Sequence, residues 1–149
     1  GANIALACDI CVAKESATFI QAFSKIGLVP DSGGTWMLPR LIGLQRATAL
    51  AMLGEKVTAA DAMAMGMIFK AVADDDFEEA ISRMSTQLAN MPTKALGMTK
   101  RAFNMAFEND LNAQLDLEGE LQTAAGQTHD YKEGVAAFIE KRKPAFIGQ

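Results

Sequence analysis

The sequence predicts an α/β chain in which short strands come first and helices follow. Three observations carry this. Residues 1–29 hold apolar and β-branched side chains in runs too short for helices. A proline–glycine cluster at 30–34 then turns the chain sharply. From residue 44 onward, apolar residues recur at helical spacing between helix boundary signals.

Taken in order, Ala2 to Cys8 is ambiguous and compatible with a short helix. Ile10-Cys11-Val12-Ala13 and Thr18-Phe19-Ile20 read as short buried strands, joined by the polar turn Lys14-Glu15-Ser16. In Pro30-Asp31-Ser32-Gly33-Gly34, proline restricts φ and the glycines admit unusual angles. Leu38, Leu41 and Ile42 follow at helical spacing, with Asp31 or Ser32 as the expected cap. Ala47, Leu50, Ala51 and Leu53 form a stripe that stops at Gly54. Thr58-Ala59-Ala60-Asp61 resembles a capping box with Asp in the Glu position. Met67 to Val72 is short and β-compatible. Three aspartates at 74–76 favour the start of a helix running to about 90. Pro92 opens another helix, Asp110 starts one reaching about 125, and a last helix spans about 130–141. Val135, Phe138 and Ile139 are its expected apolar face.

Composition narrows the function classes. The 149 residues are 50% hydrophobic and 21% charged, which excludes wholesale disorder. A compact chain of this size buries about 68% of its extended surface. The net charge of −4 argues against nucleic acid as the main partner. No apolar run reaches the roughly 18 residues of a membrane span. Two cysteines make no disulfide scaffold, so a reducing, cytoplasmic setting is expected.

Few constellations carry chemistry. Cys8-Asp9-Ile10-Cys11 spells C-x-x-C inside an apolar run, where two buried thiols are expected rather than a redox pair or a zinc site. His129 is the only histidine and reads as a surface or capping residue. No metal site is expected. The most informative stretch is Gly27-Leu28-Val29-Pro30-Asp31-Ser32-Gly33-Gly34, which matches neither a dinucleotide fingerprint nor a P-loop. Its Asp31 is a turn residue, or a carboxylate walled by Phe19, Phe23, Leu28, Val29 and Trp36. Apolar walls would raise its pKa, and a helix start would lower it. Near the end, Lys141-Arg142-Lys143 follow Phe138, which suits either a solvated helix end or a phosphorylated small ligand stacked on the ring.

Together these tracts resemble the enoyl-CoA hydratase/isomerase (crotonase) family. The carriers are Gly1 to Asp9, Phe23 to Arg40, Leu53-Gly54-Glu55-Lys56 with Ala62 to Gly66, and Glu133 to Arg142. The resemblance implies a spiral of ββα turns, entered partway, over residues 1–73. Helices over 74–149 would then make a homotrimer or hexamer and contact coenzyme A. It implies an acyl-CoA thioester as substrate and no separate cofactor. It places one oxyanion-hole N–H at the Gly1 edge, and the adenine end of coenzyme A against Phe138 and Lys141.

The resemblance also locates the chemistry. Family hydratases carry glutamates at the positions of Asn3 and Phe23, and neither is acidic here. Asp31 falls where family isomerases keep their single carboxylate, with Phe23, Val29 and Trp36 as expected pocket walls. The expectation is therefore an acyl-CoA isomerase with Asp31 as proton shuttle. The tracts Gln21–Pro39 and Gln114–Glu118 resemble the branch acting on an aromatic ring epoxide. Attack by Asp31 as a nucleophile, hydration by other groups, and acyl-CoA binding without turnover stay open as alternatives.

Overall fold

A computed structural model describes residues 1–149. The chain divides into two compact units, Gly1–Ile81 and Ser82–Gln149. In the first, helix α1 (Ala2–Leu6) precedes strands β1 (Val12–Lys14) and β2 (Thr18–Ile20). A 3-10 turn at Ala22–Ile26 leads to α2 (Gly34–Ile42) and α3 (Leu44–Leu53). Then come β3 (Lys56–Thr58), α4 (Ala59–Ala64) and β4 (Lys70–Val72). The division falls inside α5 (Phe77–Ala89), C-terminal to the expected 73/74 boundary.

Two small sheets organise the first unit. β1 pairs in parallel with β4, placing Ala13 opposite Ala71. β2 pairs antiparallel with β3, placing Phe19 opposite Val57. Strands of three residues are marginal on hydrogen bonds alone, so packing must hold them. Ala13 and Val57, the central residues of β1 and β3, point into the core. They meet Leu6, Leu38, Ile42, Ala47, Met67 and Ile68 there. Ala59 and Ala62 on α4 are fully enclosed, which only a small side chain permits at that approach. Connections also tie the layers: the Ala59 N–H donates to the Ala17 carbonyl, and the Glu15 N–H to the Val72 carbonyl.

Several expectations shift here. The first strand begins at Val12, and Ile10 lies outside it, 45% exposed. Only Lys70–Val72 of the Met67–Val72 run is strand. β3 carries no run of apolar residues, and its strand character comes from pairing with β2. Cys8 is exposed just past the end of α1, and Cys11 is partly buried, packed against the edge of the core. Burial still pushes the Cys11 thiol pKa up, and Cys8 adds to the effect.

The second unit is helical: α6 (Thr93–Met105), α7 (Leu111–Gly126) and α8 (His129–Glu140). Asp110 caps α7 by accepting the Ala113 N–H, and Thr128 caps α8 by accepting the Tyr131 N–H. Gln114 fastens α7 to α6 by donating to the Ala102 carbonyl at 3.1 Å. The buried face of α8 carries Asp130 and Ala137, whereas Val135, Phe138 and Ile139 face outward. The expected apolar face is thus the exposed one. The segment after α8 folds back onto the helix: Ile147 and Gly148 N–H groups donate to the Asp130 carboxylate at 2.8 Å. Arg142 forms a two-pronged pair with Glu133 at 2.6 and 2.9 Å. No helix is long and apolar enough to cross a membrane.

Candidate active site

A cleft of about 350 Å³ opens in the first unit. Its lining comes from three short pieces of chain: Gly1, Ala2 and Asn3 from the start of α1, Ile20 to Phe23 with Lys25 and Ile26, and Asp31. Ile20 ends β2 and Ala22–Ile26 is the 3-10 turn, so the sheet edge delivers these residues together. Ile20, Ala22, Phe23 and Ile26 make one side apolar.

Asp31 enters the cleft on a tight turn. Ser32 and Gly33 have φ of 50° and 77°, and the Gly34 N–H donates to the Asp31 carbonyl at 2.8 Å. Two consecutive residues with positive φ make this a type I′ turn. The expected side-chain cap on α2 is absent, and the N-cap is Gly33. The Ser32 hydroxyl instead turns back and donates to the Asp31 carboxylate at 3.1 Å. Asp31 is exposed at the mouth, not walled in. Phe19 is taken up by packing against the core, and Leu28 and Val29 are 59% and 78% exposed.

Beneath the turn lies a buried polar layer. Asn3 and Gln21 are each 5% exposed. The Asn3 amide donates to the Asp31 main-chain carbonyl at 3.0 Å, and its oxygen accepts from Gln21 Nε2 at 2.7 Å. Gly34 packs directly on this amide: a Cβ there would lie 2.3 Å from Asn3 Nδ2. The sequence marks Asn3 only as a missing glutamate and gives Gln21, Lys25 and Gly34 no role in the site. The amides carry no chemical motif, and only tertiary proximity joins positions 3, 21 and 31.

The other anticipated residues are distributed as follows. Gly1, Phe23 and Asp31 share the cleft. Val29 and Trp36 do not line it; Trp36 stacks under the Arg40 guanidinium, 3.8 Å from the ring centre. Phe138 and Lys141 belong to the second unit, where Phe138 is 86% exposed and Lys141 ends α8. His129 opens α8 beside Asp130, with its Nδ1 3.5 Å from the Asp130 carboxylate. No group of three or more His, Cys, Asp or Glu side chains is placed to hold a metal ion.

Comparison with known proteins identifies the family and the fold. The chain is 48% identical over 149 residues to the 1,2-epoxyphenylacetyl-CoA isomerase of Escherichia coli K12, spanning 100% of this chain and 57% of that protein. It is 49% identical over 149 residues to a Rhodobacter capsulatus protein named "probable enoyl-CoA hydratase", spanning 100% and 58%. The crystal structure of an enoyl-CoA hydratase from Bacillus anthracis superposes with a TM-score of 0.95 at 32% identity, covering 100% of this chain and 58% of that one. The chain therefore spans a little over half the length of these relatives, and its fold is the corresponding part of the crotonase fold. A family model described as Enoyl-CoA hydratase/isomerase matches residues 1–149, and the chain belongs to that family.

Proposed function

We propose that the protein containing this chain is an acyl-CoA isomerase in which Asp31 shuttles a single proton. The observation that carries this reading is the acid content of the cleft. Asp31 is the one carboxylate among the lining residues, beside Asn3 and Phe23. Addition of water to a double bond needs a base for the water and an acid for the carbon, work shared by two groups. An isomerisation adds no atoms, so one carboxylate that takes a proton and returns it elsewhere is enough.

In this scheme an Asp31 oxygen accepts a proton from an acidified carbon of the bound acyl unit. The C–H electron pair moves into the conjugated thioester, whose oxygen becomes an enolate. Main-chain N–H donors, one of them at the Gly1 edge, hold that oxygen. The Asp31 carboxylic acid then returns the proton to a different carbon and is a carboxylate again. Ile20, Phe23 and Ile26 keep the acyl end in an apolar setting. Coenzyme A is part of the substrate, and the chemistry calls for no other cofactor.

The name of the Escherichia coli relative supports ring-1,2-epoxyphenylacetyl-CoA as substrate. For it we propose conversion to oxepin-CoA: the ring C–C bond bridged by the epoxide oxygen breaks, its electron pair enters the new ring double bonds, and Asp31 moves one proton from the carbon next to the thioester to a ring carbon. Double-bond migration in enoyl-CoA is the alternative. Phe138 and Lys141 are assigned to the adenine end of coenzyme A, ring against base and cation against phosphate. The outward side chains Val135 and Ile139 on α8 are assigned to contacts in a homotrimer or hexamer. The name of the Rhodobacter relative favours a second reading, hydration.

Two assays on the complete protein separate these readings. Asp31→Asn lowers kcat by at least about 10²–10⁴-fold, the usual contribution of a positioned acid–base group, while coenzyme A thioester binding persists. Normal turnover in that variant would refute the assignment. With crotonyl-CoA, the wild type leaves the enoyl absorbance largely intact; its rapid loss would establish hydration instead. Thioester binding without any turnover of the ring epoxide or of enoyl isomers would point to a non-catalytic acyl-CoA binder.

A further inference from the structure

We propose that Asn3 is the positioning residue of Asp31: its carboxamide ties the Asp31 turn to the floor of the cleft and so sets where the carboxylate stands. This rests on the reading of Asp31 as the proton shuttle and adds a residue that acts through it.

The hydrogen-bond polarity allows one arrangement. The Asp31 main-chain carbonyl can only accept, so the Asn3 group facing it must be the NH₂. The Asn3 oxygen then faces Gln21, whose NH₂ must donate to it. Gln21 Oε1 is left buried without a partner. Flipping Gln21 would set two acceptors against each other, so the relay keeps its direction despite the cost of that orphan oxygen. The Asp31 carbonyl thereby receives two donors, Asn3 Nδ2 at 3.0 Å and the Gly34 N–H at 2.8 Å. The second bond closes the turn on itself; the first fixes the turn to α1. Gly34 then acts as a clamp, because any side chain there would occupy the space of the Asn3 amide.

The consequence is specific to this residue type. A carboxylate at position 3 has nearly the same shape but, once ionised, has no proton to donate. It would face the Asp31 carbonyl as acceptor against acceptor. Catalytic groups tolerate little displacement, and an error of about 1 Å can cost 10²-fold in rate. Asn at position 3 thus holds the turn that carries the base.

The test uses the complete protein and separates kcat from KM. Asn3→Asp should lower kcat about 10- to 100-fold, with KM changed much less, because the acyl-binding walls are untouched. A kcat within twofold of wild type in Asn3→Asp would overturn the proposal. A paired variant guards against simple misfolding. Gly34→Ala should clash with the amide and lower the thermal midpoint. Adding Asn3→Ala frees that space, so the double variant should regain much of the midpoint but not the kcat. Recovery of both would mean that Asn3 only fills volume, and the proposal would fail. Asp31→Asn serves as the control. If it keeps full turnover, the base assignment itself is wrong. If it is inactive while Asn3→Asp keeps wild-type kcat, the tether alone is wrong.

Discussion

Ser32 and Gly33 shape the turn that carries Asp31. Both have left-handed backbone, which an L-residue with a Cβ adopts at a cost of roughly 1–2 kcal/mol. Gly33→Ala should therefore lower the thermal midpoint by the equivalent of about 1–2 kcal/mol. Ser32→Gly should raise it only slightly, because relief of strain is offset by about 0.5–1 kcal/mol of added chain freedom. Thermal unfolding of the two variants beside wild type checks both signs. The sharp turn at 30–34 was legible from proline and glycine content. The cap was not legible, because the Ser32 hydroxyl had two targets and local sequence does not choose between them. It bonds the Asp31 carboxylate and leaves the start of α2 to Gly33.

Helices α4 and α8 show how far a local pattern carries at the level of an element. At α4 the capping signal holds in half: the Thr58 oxygen accepts the Asp61 N–H, and its hydroxyl donates to the Asp61 carboxylate at 2.7 Å. The shorter Asp side chain bonds the cap's hydroxyl instead of reaching back to its N–H. Thr58→Ala should then cost about 1 kcal/mol, read as a lower midpoint in thermal unfolding. At α8 the helix was legible but its faces were not. Apolar residues lie on both sides, and the buried side is chosen by what covers it, including Phe146 against Gly134. Ala137, 1% exposed, has no room to grow. Ala137→Leu should destabilise by about 1–3 kcal/mol, measured the same way. Phe138 beside it is nearly bare in this chain, which suits contact with a ligand or a neighbouring subunit.

For the whole molecule, acid is the informative stress. The Arg142 guanidinium, helped by the Ala145 N–H, holds the Glu133 carboxyl down to about 2 from an ordinary 4.5. Burial alone would push Asp130 up, but the Ile147 and Gly148 N–H groups with His129 outweigh it and leave its pKa lowered. Both groups bind protons less readily folded than unfolded, so their stabilisation is complete above the unfolded pKa. For Glu133 it is lost progressively as pH falls from about 4.5 to about 2. Thermal midpoints taken from pH 7 down to pH 3 should fall in that window. Glu133→Gln should start lower at pH 7 and decline less steeply, and an equal slope in the two proteins would refute the assignment. The Glu133–Arg142 and Asp130 contacts close the segment after α8, and none of them was visible in residue order, since acceptor and donor lie nine to eighteen positions apart.

By itself the sequence determined the first two strands, most helix boundaries and the family. These follow from local propensity, apolar period and turn chemistry, which act over a few residues, and from residue identities at matching positions. Tertiary structure alone decided which residues share the cleft, which face of α8 is buried, and that the buried amides of Asn3 and Gln21 meet the Asp31 main-chain carbonyl with Gly34 packed against them. Those outcomes depend on distances between segments far apart in the chain. A buried amide must find its partners wherever the fold brings them, and no spacing rule along the chain records that.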